Sequence, residues 1–256
     1  MSLLETTVAM SILAVLMFFL AEALRYTQGL FRSSVGNADA SLGLRKLATR
    51  LRFDLLKIQP TAVQCCPGLA TMTAAPDSDA LWMLSNSDPV SGVPVYRADG
   101  TPFWQRTVLY YAVTPLNHAG LFGYTCPGGA GPDGRDDRCP HKVMIRKLID
   151  FGPVTTMSDE STAEALMTPA QAAVYFTRPN GYNTAALKLE PGVHQVELLS
   201  PLLLGFQAQV GVKDVTVNLR AVTLPRARRS IAVGATSLYD SPYTFHFGMT
   251  VEPQAH

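Results

Sequence analysis

The stretch Met1-Ser-Leu-Leu-Glu5-Thr-Thr-Val-Ala-Met-Ser-Ile-Leu-Ala-Val-Leu-Met-Phe-Phe-Leu-Ala21 carries one charge, Glu5, and the next is Glu22. About twenty helical residues span about 30 Å, the thickness of a bilayer's hydrocarbon core. A carboxylate in such a segment costs about 2.5–3.5 kcal/mol at the helix centre and less near an end, and it marks a partner or a function. The nearest positive charge is an amino terminus. Glu5 and Met1, of one chain or of two neighbours, can pair if Met1 is the mature N-terminus. The first basic residue, Arg25, follows the run, and the positive-inside rule would then place the rest of the chain in the cytoplasm. A basic leader removed just ahead of Met1 would reverse that orientation.

The helical pattern continues past the apolar run. No proline precedes Pro60, and Leu44, Leu47, Leu51, Leu55 and Ile58 recur at intervals of 3, 4, 4 and 3. These positions form one apolar helix face, with Arg45, Lys46, Arg50, Arg52 and Lys57 spread around the remainder. An uninterrupted helix from residue 2 to 58 would be about 85 Å long. Its first part, residues 1–24, is expected in the membrane, and residues 25–59 form the extracytoplasmic half of the stem. Gly29, Gly36 and Gly43 sit seven residues apart in the middle. Each costs about 1 kcal/mol of helix stability relative to alanine, so Gly29–Asn37 is expected to be the weakest section.

Residues 60–256 supply enough chain for one sizeable core. Short β-like runs bounded by Pro, Gly and Asp fill this region. The candidates are Ala80–Leu84, Thr107–Val113, Val143–Ile149, Val193–Leu199, Leu203–Val210, Val215–Leu224 and Tyr243–Val251. Ser158–Ala173 is richer in Ala, Glu and Met and is read as holding a short helix. A stem helix followed by many strands predicts an α+β protein with a mainly antiparallel β-sheet head.

The residues Leu3, Leu4 and Glu5 after a hydrophobic first residue, with the apolar helix from Thr6 to Ala21, resemble the mature N-terminus of type IV pilins and type II secretion pseudopilins. The resemblance implies cleavage by a prepilin peptidase and N-methylation of Met1. It also implies that Glu5 neutralises a neighbouring subunit's N-terminus during filament assembly. Many members carry a proline near position 22, where the helix melts in the filament; here Glu22 stands at that position. The segment from Leu198 to Gln209, the strand Val215–Leu224 with the basic loop Pro225–Arg229, and Arg50-Leu-Arg-Phe-Asp54 are similar to minor subunits of the W and J types. At 27.7 kDa the chain is bulkier than a typical major pilin. The implied function is a minor pilin or pseudopilin that helps to initiate, and is incorporated into, a type IV pilus or a type II secretion pseudopilus. The implied partners are other minor and major subunits, the inner membrane and its assembly platform. The head would be extracytoplasmic before assembly, and then lie in a pilus or periplasmic pseudopilus. The alternative is a membrane-anchored adhesin or ligand-binding module that does not polymerise.

Four cysteines remain, Cys65, Cys66, Cys126 and Cys139. Cys126 and Cys139 flank a Gly- and Pro-rich loop that cannot hold itself in place, and a disulfide closing it would contribute about 3 kcal/mol in the chain-entropy model. The reading is a disulfide between Cys126 and Cys139 on a surface-exposed excursion, with Cys65 and Cys66 as a possible second pair. Linkage of Cys126 to Cys65 or Cys66 is the other connectivity. Zinc is the rival, with His141 close to Cys139, but no Cys-x-x-Cys is present, and no metal is expected. Asp133, Asp136 and Asp137 form a weak calcium candidate, flanked by Arg135 and Arg138 and better read as a solvated turn.

No catalytic constellation stands out, and neither an enzyme activity nor a cofactor is expected. The histidines His118, His141, His194, His246 and His256 show no ligand spacing. Gly128-Gly-Ala-Gly131 lacks the Lys-Ser/Thr of a phosphate loop. A net charge of +1 argues against broad nucleic-acid binding, and the local cluster Arg226, Arg228 and Arg229 reads as a solvated loop.

Overall fold

In a computed structural model of the chain, the residues described are 3–70, 75–123, 125–126, 129–131, 133–222 and 244–253. The first element is a single helix, α1, Leu3–Leu55, 53 residues long and therefore about 80 Å from end to end. It stops ahead of Pro60, whose ring excludes the helical conformation at the preceding residue. Gln59 is accordingly extended, with φ −86° and ψ 148°. Gly29–Asn37, expected to be its weakest section, is helical throughout.

The head is a seven-stranded sheet in which every neighbouring pair is antiparallel and the spatial order equals the chain order. Its strands are β1 (Val63–Pro67), β2 (Asp79–Ser85), β3 (Arg106–Val113), β4 (Lys142–Ile149), β5 (Val193–Val210), β6 (Val215–Val222) and β7 (Thr244–Val251). Two short helices, α2 (His118–Phe122) and α3 (Pro169–Ala173), lie in the connections. The chain is thus an α+β protein, as its pattern predicts. Two expectations are corrected. Val63–Pro67 is a strand that its sequence does not advertise, and Val193–Val210 is one 18-residue strand rather than two. Pro201 lacks the ladder donor, so the pairing with β4 shifts register near Ser200, and Leu202 takes a positive φ of 60°.

Both faces of the central strands are covered, which is why β2 to β4 read as nearly continuous apolar runs. Toward the stem, Leu81, Met83, Val108, Tyr110, Met144, Phe206, Val217 and Leu219 pack against Leu44, Leu47, Leu51, Leu55 and Ile58. Helix and sheet meet closely at Gly43, where an added Cβ would lie 3.1 Å from the Ser200 hydroxyl. On the opposite face, Ala80, Trp82, Leu109, Tyr111, Val143 and Ile145 pack under Met167, Ala172, Tyr175, Phe176 and Leu187. The Trp82 indole donates to the Met167 carbonyl at 2.9 Å, and the Tyr111 hydroxyl donates to that of Thr177 at 2.8 Å. The segment 158–173 contributes α3, entered by Pro169 and closed by a Thr168–Gln171 capping box.

One polar group crosses the stem–sheet interface. The Asp54 carboxylate accepts the Tyr110 hydroxyl at 2.6 Å and the Arg146 Nε at 2.8 Å. Arg50 lies one turn earlier, 3.9 Å from Asp54, and Glu197 stands 3.9 Å from Arg146. Removing one partner of a buried pair strands the other charge, at a cost of about 3–5 kcal/mol. Asp54→Ala is therefore expected to lower head stability by that amount in chemical denaturation of the detergent-solubilised chain. The double change Asp54→Leu with Arg146→Met should restore most of it, because it removes both charges together.

Glu164 supplies a pH test of the same core. Its carboxyl accepts the Phe151 amide at 3.0 Å and the Thr107 hydroxyl at 3.1 Å. Burial pushes its pKa up to about 7, outweighing those two hydrogen bonds. The folded chain therefore holds a proton that the unfolded chain releases near 4.5. This contribution to stability is complete below about pH 4.5 and is lost as the pH rises through about 7. Glu164→Gln cannot ionise, so its melting temperature relative to the wild type should rise between pH 5 and pH 8. Parallel pH profiles for the two proteins would contradict this.

Candidate functional site

The first half of α1 is bare. Thr6–Phe31 spans 26 residues, and its most apolar 18-residue window has a mean hydropathy of 2.2 with none of it buried. Among the described residues it is the one helix long and apolar enough to cross a membrane, by length and composition. Its chemistry suits an apolar solvent, where every polar group needs an internal partner. The Thr7, Ser11 and Thr27 hydroxyls donate to the carbonyls of Leu4, Thr7 and Ala23 at 3.0, 2.8 and 2.7 Å. Its two charges, Glu22 and Arg25, pair with each other at 3.1 Å. Glu5 falls in the first turns of α1, with its side chain outside the description. Met1 lies outside the described residues, as do Arg226, Arg228 and Arg229.

The four cysteines fall into two unlike settings, and all four are free thiols. Cys65 and Cys66 are successive residues of β1, so the strand pleat sends their side chains to opposite faces. Cys65 packs against the stem-side core and Cys66 against the core on the other face. That alternation holds the two sulfurs apart. Burial raises both thiols, Cys66 to about 11, which disfavours the reactive thiolate.

Cys126 and Cys139 are buried, and the chain between them is not the solvated excursion that its composition suggests. Asp136 and Asp137 are buried as well. Arg135 pairs with Asp79 at the start of β2, Arg220 of β6 pairs with Asp133, and the Gln207 amide donates to Asp133 at 2.8 Å. Asp136 bridges to Ala130, and its amide donates to the Pro76 carbonyl at 3.1 Å. Gly131 makes room for this packing, because a Cβ there would lie 2.5 Å from the Asp137 carboxyl and force that side chain to shift. Burial would raise the Asp133 carboxyl, but the Arg220 hydrogen bond and the Arg135 amide outweigh it and hold the pKa below its ordinary value. The calcium candidate therefore does not assemble: Asp133 turns to Arg220 and Gln207, and its carboxylate is already committed.

A different set does assemble. His118 opens α2, Cys126 follows that helix, and Cys139 and His141 lie just ahead of β4. One ligand atom from each lies within 4.8 Å of all the others, and this is the set of potential metal ligands that the described residues gather. All four residues are buried, with exposures of 4, 3, 1 and 1% in chain order. The His141 Nδ1 is 3.1 Å from the Cys126 sulfur, and the two imidazole rings lie 5.5 Å apart. The His118 Nδ1 sits 3.2 Å from the Pro115 carbonyl. Behind Cys139, the fully buried Lys142 ammonium donates to the carbonyls of Asp136, Cys139 and Leu204 at 2.6, 2.8 and 2.9 Å. The Cys139 thiol is held below its ordinary pKa by its hydrogen bond with Cys126, and further by His141 and Lys142, against the effect of burial. Cys126 is correspondingly raised.

Three of the four are legible in the sequence. Cys139-x-His141 is visible as a near pair, and Cys126 as its loop partner. His118 is not, because no local spacing links it to them. It arrives through the tertiary path from the end of β3 into α2. No protein-family model, curated protein or solved structure matches the chain.

Proposed function

We propose that the chain is a minor pilin or minor pseudopilin, an interaction protein that takes part in initiating filament assembly and is built into the filament. The observation that carries this reading is the division of labour along α1. One continuous helix is apolar and uncovered over Thr6–Phe31, and from Leu44 onward it is buried on an antiparallel head. A helix of that design is held by lipid before assembly and by neighbouring stems after it. Glu5 enters the apolar segment one residue ahead of Thr6. In lipid or among packed stems an unpaired carboxylate is costly, so a neighbour's amino terminus is its natural partner. The head would lie outside the inner membrane, with the assembly platform and the other subunits as its contacts.

The test is Glu5→Ala, expressed in the native host together with the other filament subunits. Membrane insertion should be unchanged, and recovery in the sheared-filament fraction should fall by about tenfold or more, the effect of about 1.4 kcal/mol in an assembly equilibrium. Undiminished incorporation of Glu5→Ala would overturn the role of Glu5. Absence of the wild-type protein from the filament fraction would overturn the function and favour an anchored module that does not polymerise.

A further inference from the structure

We propose that His118, Cys126, Cys139 and His141 form a structural site for a zinc-class divalent cation in the head. Two thiolates and two neutral imidazoles are the donor set that a tetrahedral, borderline-soft cation prefers. All four ligands come from protein, and all are buried, so no position is left open to water or substrate. That distinguishes a structural site from a catalytic one.

The decisive atom is the His118 Nε2. The other nitrogen of that ring is engaged by the Pro115 carbonyl, which sets the tautomer: Nδ1 donates and Nε2 is left as a lone-pair donor. A backbone carbonyl behind a ligating imidazole is the usual outer-shell arrangement at metal sites. Nε2 is fully enclosed and has no hydrogen-bond partner among the described residues. A buried polar atom without a partner costs about 1–3 kcal/mol. A disulfide between Cys126 and Cys139 would consume both sulfurs and leave that nitrogen unsatisfied. A cation satisfies all four side chains at once.

The charges also fit. Both sulfurs bind as thiolates, and the two thiolates cancel the dication. The neutral unit is far less costly to bury than either charge alone. Lys142 fixes the backbone of this segment through the Cys139 and Asp136 carbonyls, so Cys139 and His141 are presented from a rigid base at the edge of β4. The remaining two ligands come from α2 and the chain just after it. A five-residue helix is too short to be stable by itself, so the cation would clip the β3–β4 connection to the sheet.

The full chain, purified in detergent under native conditions, should contain one zinc per molecule. After exchange, cobalt should give the ligand-field bands of a tetrahedral ion together with thiolate-to-cobalt charge transfer. In thiol labelling followed by mass mapping, zinc should protect Cys126 and Cys139, and a chelator should expose them. The labelling of Cys65 and Cys66 should not depend on the metal, and the double change Cys65→Ser with Cys66→Ser should retain full binding. His118→Ala should weaken zinc binding in chelator competition by more than about a hundredfold, beyond the 10–100-fold typical of an outer-shell partner. Three results would each overturn the site: a Cys126–Cys139 disulfide in the natively isolated protein, failure of the reduced wild-type chain to take up cobalt, or cobalt spectra without thiolate charge transfer. These readouts use the wild-type chain and stand even if a ligand variant does not fold. They are independent of whether the protein enters filaments.

Discussion

The head exists because one face of the stem must be taken out of water. Leu44, Leu47, Leu51, Leu55 and Ile58 are all buried against the sheet. Burial of a large aliphatic side chain is worth about 1.5–3 kcal/mol, so this seam contributes on the order of 10 kcal/mol before entropy is counted, an upper figure for an extended reference chain. A leucine repeat at intervals of four has a weakness, because sliding the helix by one turn replaces leucine with leucine. The polar group at the seam removes that ambiguity. In the observed register Asp54 lies between Arg50 and Arg146, at 3.9 and 2.8 Å, and a slip of one turn would carry the carboxylate away from Arg146 and Tyr110 and leave the buried guanidinium without it. Hydrophobic area supplies the attraction, and the Asp54–Arg146–Tyr110 group fixes where along its axis the helix comes to rest.

How far the sequence could be read follows from how local each signal is. The Leu44-to-Ile58 spacing, the alternation in Val215–Val222 and the segment holding α3 are short-range patterns, and each forms the kind of element it predicts, although the helix ends at Leu55 and Ile58 packs from the turn that follows. β1 escaped notice because Val63-Gln-Cys-Cys-Pro67 has no alternation; it is a strand by virtue of its pairing with β2. Val193–Leu199 and Leu203–Val210 read as two runs either side of Pro201, yet the sheet joins them, with an irregularity between β4 and β5. The connection after Cys126 has the composition of a solvated loop and is nonetheless half interior. What buries it are Arg220, Asp79 and Gln207, contacts made across long stretches of chain that no local window contains.

The thiol–imidazole cluster shows the same limit in its sharpest form. Two of its members, Cys139 and His141, are separated by one residue, while His118 stands on the far side of a short helix. Proximity among them is a property of the β3–β4 connection as a folded unit. The buried Lys142 belongs to that unit, since its three carbonyl acceptors come from the loop, the segment before β4 and β5.

The order of the sheet sets a timetable for making the protein. Each strand pairs with its predecessor, so the meander can grow step by step with little loop closure at any stage. The stem is the exception. α1 is synthesised first, yet the strands it packs on most extensively are β5, β6 and β7, the last three of the head. Leu81, Met83, Val108 and Tyr110 of β2 and β3 cover part of its leucine face, and the rest waits for those last strands. If Thr6–Phe31, long and apolar enough to cross a membrane, is held in a bilayer, the stem is tethered throughout that interval, and the part of its face still uncovered stays close to the strands still to come. The contacts between α1 and the last strands close the longest loops of the fold, and a tether would raise the effective concentration at which they close.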